Sequence, residues 1–216
     1  MRKIFFLTLL VTIGVAVQAQ SRFGIFAGPQ ASSARYSIDG EKQSTSYKYG
    51  FQLGAGWKIP FDNQLYFAPA AFYSMKGYKV ELDRPSYPPD PYATNNDTRL
   101  HTFELAFLLQ YDLGKKPSHF FLKAGPSLDF QLKGTEKFER SNGSPVDRSM
   151  IFSFGDYGRY AASFLFQFGY EAPSGWFGFA QYNHGVGSFN NADHGPKILH
   201  RVWGLSVGHY FGKKKK

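Results

Sequence analysis

One stretch constrains most of what this chain can fold into. Residues 47–59 read YKYGFQLGAGWKI, with Tyr47, Tyr49, Phe51, Leu53, Ala55, Trp57 and Ile59 alternating with Lys48, Gly50, Gln52, Gly54, Gly56 and Lys58. A two-residue period sends successive side chains to opposite faces, so the segment is a strand with one apolar face and one thin, polar face. In a soluble sheet the apolar face is core. In a membrane barrel it faces lipid, and the polar face lines a narrow interior.

The connections decide between the two. The same alternation recurs in residues 22–36, 65–80, 101–113, 120–132, 156–170, 176–186 and 201–211. The 176–186 segment is ambiguous, because Phe177 and Phe179 compete with Trp176 and Tyr182 for the outer face. Residues 60–64, 114–119 and 171–175 form tight turns, while 37–46, 81–99, 133–154 and the stretch after 186 form longer polar connections. Pro85, Pro88, Pro89 and Pro91 keep 81–99 from pairing as a central strand. Short turns at one end and long loops at the other, joining strands long enough for a tilted bilayer span, predict an all-β fold: an eight-stranded antiparallel up-and-down transmembrane β-barrel. Aromatic residues fall where such a barrel meets its two interfaces, predicting a girdle of Tyr47, Tyr49, Trp57, Tyr66, Tyr111, Tyr170 and Trp176, with Tyr36 and Tyr78 near the long loops.

The ends fit export. Arg2 and Lys3 precede an apolar run over 4–17, followed by small Val17 and Ala19, so residues 1–19 are expected to be a signal peptide. Residues 20–212 are then the barrel domain and 213–216 a basic tail, suited to a solvated end or to acidic headgroups. The formal charge is +9, but an exported chain has no use for nucleic acid as a partner. There is no cysteine, which excludes disulfides and thiolate chemistry.

Inward positions carry polar groups that must satisfy one another. Glu104, Lys123, Asp129, Arg159 and Gln167 are expected to form a lumen network together with Lys48, Gln52, Lys58, Lys76 and Gln110, with Asp129 and Arg159 near the extracellular end. Side chains nearly fill an eight-stranded barrel, so a wide diffusion pore is not expected. His184, His194 and His200 gather near Ser188 and Asp193 in the last long connection, but no HExxH spacing occurs and no nucleophile sits in a recognisable turn. No catalytic residue, cofactor or metal is therefore assigned. The expected partners are outer-membrane lipids and, through the long loops, other envelope proteins; the barrel is expected to be a monomer. The loop at 81–99, with Tyr87 and Tyr92, is a candidate recognition surface.

Across the region after the signal, the chain resembles the PorT-like outer-membrane β-barrel family of Bacteroidota. The matching stretches are AAFYSMKGYKV (70–80), FELAFLLQYDL (103–113), FFLKAGPSLDF (120–130), FAQYNHGVG (179–187) and GLSVGHYF (204–211). Where members often carry a glutamate, a proline and an arginine, this chain has Ala70, Ala106 and Gln181. The resemblance implies an outer-membrane location and, through the family's name, an accessory role in a secretion machine as the alternative to a structural or surface-interaction role. A lipid-modifying enzyme is the least favoured reading.

Overall fold

The computed structural model describes residues 21–212; the expected signal peptide and basic tail lie outside the described residues. Eleven strands form one sheet: β1 (Arg22–Ile38), β2 (Glu41–Lys42), β3 (Ser44–Asp62), β4 (Leu65–Lys76), β5 (Tyr78–Glu81), β6 (Asn95–Leu113), β7 (His119–Glu139), β8 (Pro145–Ser149), β9 (Tyr160–Glu171), β10 (Trp176–Gly185) and β11 (Lys197–Phe211). All pairings between these strands are antiparallel. The sheet closes because β1 pairs with both β11 and β3, giving a ring of eight in which β5 continues β4. Two short strands, β2 and β8, extend hairpins at the long-loop end. No helix of the described residues is long and apolar enough to cross a membrane, which says nothing against crossing by strands.

The outer face carries an apolar band of limited height. On β6, Phe103, Phe107, Leu109, Tyr111 and Leu113 point outward, and on β9 Phe164, Phe166, Phe168 and Tyr170 do so. From Phe103 to Leu113 a strand rising about 3.3 Å per residue and tilted about 40° climbs roughly 25 Å, the height of a lipid-facing band. The ambiguity on β10 resolves with Trp176 outward and Phe177 and Phe179 buried inside.

Inward glycines make room for these rings. A Cβ on Gly54 would lie 2.1 Å from that of Phe72, and one on Gly208 2.4 Å from the ring of Phe177. Glycine therefore fills the interior with its neighbours' aromatic side chains and leaves it no wider.

The connections differ from expectation at the upper end. Strand β1 runs on to Ile38, β6 begins at Asn95, β7 reaches Glu139 and β11 begins at Lys197. Much of the expected loop sequence is thus barrel wall standing above the apolar band. At the lower end β3 continues through Pro60 to Asp62 with a register shift, and the turn narrows to Asn63, at φ 47°, and Gln64.

Candidate functional site

The barrel interior and the cap over its upper mouth hold most of the buried polar chemistry. Nearest the short turns, Lys58 donates to Asp112 at 2.6 Å and to Glu171 at 3.0 Å. The His119 ring nitrogen Nε2 sits 3.0 Å from the same Asp112 oxygen, Arg22 pairs with Glu171, and Gln110 donates to the other Asp112 oxygen at 2.6 Å. The Lys58 ammonium also lies 4.3 Å from the centre of the Tyr66 ring. Each buried charge in this layer is answered, as a low-dielectric interior requires.

An aromatic layer follows. Phe26, Phe72, Phe121, Phe177, Phe179 and Tyr210 pack across the lumen with Leu108 and Leu165. Lys123 enters among them and donates to the Tyr210 hydroxyl at 3.3 Å, with its ammonium 4.9 Å from the Phe121 ring. The cavity here is about 20 Å³, lined in part by Gly24, Gly56, Ala68 and Ala70. It is of the size of one water molecule.

Above it lies an amide rung. Gln181 donates to Gln52 at 2.8 Å, Gln52 to Ser206 at 2.9 Å and Gln167 to Gln181 at 3.3 Å. A second charge layer follows, in which Lys76 donates to Glu104 at 2.9 Å and Asp129 at 2.6 Å, and Asn183 donates to the other oxygen of Glu104 at 3.1 Å. Glu104 and Asp129 face each other across β6 and β7, and Lys76 reaching over from β4 bridges these two adjacent carboxylates and offsets their repulsion.

The upper mouth is closed by the chain itself. Tyr36, Tyr78, Val80, Leu100, Phe138, Tyr157, Phe189 and Ile198 form a buried apolar cluster inside the wall above the band. The proline loop folds over it: Tyr36 shares a 2.8 Å hydrogen bond with Ser86, and Arg148 donates to the Pro89 carbonyl at 2.6 Å. Glu136 joins these pieces, accepting from Arg148 at 2.7 Å and from Tyr157 at 2.7 Å. Burial pushes the Tyr157 phenol well up, aided by neighbouring tyrosines and Glu136, so it remains a donor to that carboxylate. At the loop edge Arg140 clasps Asp90 at 2.9 Å.

Of the expected network, Glu104 and Asp129 fall in the upper charge layer, Gln167 in the amide rung and Lys123 in the aromatic layer. Arg159 is not in the lumen. It precedes β9, is exposed, and lays its guanidinium 5.6 Å from the centre of the Phe152 ring. Tyr47, Tyr49, Trp57, Tyr111, Tyr170 and Trp176 are outward, but Tyr66 points in beside Lys58, because Tyr66 pairs with buried Gln110 while Phe67 pairs with outward Leu109. Tyr36 and Tyr78 are likewise interior, in the cap.

Sequence reasoning missed Arg22, Asp112, His119 and Glu171. Asp112 shares the parity of Gln110, and Glu171 that of Gln167, so strand phase continued into the turns would have found both. The histidines do not converge. His200 is buried against Tyr78 and Phe189, His184 bonds Tyr182, and His194 is exposed. Among the described residues no group of three His, Asp or Glu could hold a metal ion.

Residues 18–191 match the family model described as outer membrane protein beta-barrel domain. Among solved structures, the chain is similar to Ail, the attachment invasion locus protein of Yersinia pestis (14% identity over 89% of this chain and 99% of that one, TM-score 0.47). It is also similar to OprG from Pseudomonas aeruginosa (13% identity, 89% and 97%, TM-score 0.48) and to Neisserial surface protein A (15% identity, 87% and 97%, TM-score 0.42). No curated protein sequence matches.

Proposed function

From the premise that this chain belongs to the outer membrane protein beta-barrel family and resides in the outer membrane, we propose that it is a closed barrel with a structural or surface-interaction role rather than a conduit. The observation that supports this best is the stacking of two ion-paired layers, an amide rung and an aromatic layer under a packed cap, with a cavity of about 20 Å³ within the aromatic layer. A steady water-filled path has no room. Single-channel recording in planar bilayers tests the reading: the expected result is no lasting conductance, and a steady open level abolishes it.

A second reading is an accessory barrel of a secretion machine, as the PorT-like resemblance implies. The feature in its favour is that aromatic side chains are left exposed on the loops, Tyr87, Tyr92 and Phe154. Extraction in mild detergent separates the two, since co-purification with large envelope proteins supports the accessory role and a lone barrel supports the structural one. The same experiment reports on the monomeric state. The dispersed histidines give a lipid-modifying activity no assembled site.

A further inference from the structure

We propose that the outer wall of β6 and β7, with the segment that enters β9, binds the phosphate-bearing headgroup of lipid A, the outer-leaflet glycolipid, through Arg99, His101, Lys133 and Arg159. The site is external and independent of whether the lumen conducts. Its position follows from where the apolar band ends. On β6 the outward sequence passes from Phe103 to His101 and Arg99, and on β7 it passes from Leu132 directly to Lys133. A register shift beside His101 turns both Leu132 and Lys133 outward and sets Lys133 opposite His101. Arg159 lies alongside, in the segment just before β9, its carbonyl accepting from the Gln131 amide at 2.9 Å and its exposed guanidinium set against the Phe152 ring.

Several basic side chains of this upper region are answered by acids, Lys48 and Lys79 by Asp97, Arg84 by Glu41, Lys137 by Asp147, Arg140 by Asp90 and Arg148 by Glu136, while Arg35, Lys42, Lys197 and Arg201 on the β1, β2 and β11 wall form no ion pair among the described residues. Arg99, Lys133 and Arg159 form no ion pair among the described residues. Arg99 and Lys133 both lie near enough to His101 to act on it electrostatically, and His101 is held in place by the Tyr73 hydroxyl at 2.5 Å. Cations gathered without counter-charges repel one another until an anion joins them. Directly below, Phe103, Phe130 and Tyr160 form a row of rings, with centroids 6.5 and 5.4 Å apart. A cationic rim over an aromatic row suits a ligand with phosphates above and acyl chains beneath, and arginine's fork gives the phosphates paired hydrogen bonds.

Native mass spectrometry of the detergent-released protein tests the site, with purified lipid A, the same lipid after dephosphorylation, and phosphatidylglycerol as probes. The wild-type protein should retain phosphorylated lipid A at least about tenfold better than either of the others. The triple substitution Arg99→Gln, Lys133→Gln, Arg159→Gln should lose about tenfold of that binding, while Lys115→Gln with Lys116→Gln, in the turn at the opposite end, should lose none. Equal retention of the three lipids by the wild type, or an equal loss in both variants, overturns the proposal. The wild-type comparison alone decides the matter if the triple variant fails to fold.

Discussion

Below Phe103 and Leu132 the wall is apolar outside over an interior of charge layers, an amide rung and an aromatic layer; above them it is largely polar outside over an apolar cap. In the lower region Lys58, Lys76 and their carboxylates share the inside with the aromatic layer and the amide rung, while phenylalanine and leucine cover the outside. In the upper region Leu100, Phe138 and Ile198 are buried while Arg99, Lys137 and Lys197 face out. One continuous sheet thus meets two solvents. The lower half obeys the bilayer, where the environment takes the apolar face, and the upper half is built like a soluble β-protein around its own core.

The two halves should fail differently. Lys76→Met in the lower half leaves Glu104 and Asp129 buried, adjacent and unpaired, at a cost of about 3–5 kcal/mol, to be measured by urea unfolding and by heat-modifiable gel mobility. Combining it with Glu104→Gln and Asp129→Asn should recover most of that loss. Failure to recover would mean that Lys76 acts by packing rather than charge. In the upper half Phe189→Ala removes a ring stacked on Tyr157 at 5.3 Å, costing about 3 kcal/mol. That loss should open the cap to proteases while the barrel keeps its shifted mobility. Collapse of the whole barrel would show that the halves are one cooperative unit.

The same contrast explains what could be read from the sequence. Inside the band, lipid demands an apolar outer face, so Phe103 to Leu113 shows its period plainly. Above it Asn96 and Thr98 are buried while Asn95, Asp97 and Arg99 face out, so both faces are polar up to Leu100 and residues 95–100 look like loop although they are strand. Parity also tells which face a side chain takes but not its height or its partner. Glu104 and Asp129 are therefore recognisable as interior groups, but their pairing with Lys76 from another strand is not. Arg159 was misplaced for a related reason: its strand begins one residue later, at Tyr160, so its phase carried no information.

The boundary itself is open to a sharper test. Phe107→Arg, near the middle of the band, should cost about 2–4 kcal/mol in lipid, whereas Thr135→Arg, beyond Lys133 on the same wall, should cost about 1 kcal/mol or less. Unfolding in lipid vesicles measures both. Equal costs would place the bilayer edge above Thr135 and dissolve the distinction between halves.

The smallest effect concerns pH at the edge of the cap. Burial opposes ionisation of Asp90, but the Tyr92 amide at 2.9 Å and the Arg140 guanidinium outweigh it and hold the carboxyl below its ordinary value. A carboxyl so lowered stabilises the folded state above the ordinary carboxylate range, and that contribution is lost as pH falls through the lowered value. Because Arg140 is partly exposed, solvent screens the pair and the gain is small. Hydrogen exchange in residues 82–94 should therefore be slowest near neutrality and quicken, after correction for intrinsic rates, in acid below the usual aspartate range. Asp90→Asn should flatten that dependence without altering exchange in the lower wall, where the ion pairs sit in the lumen and are not reached through this clasp. A matching acid response from Lys58 to Glu171 would mean that cap and band titrate together, which the separation of their charge layers by the amide rung and the aromatic layer argues against.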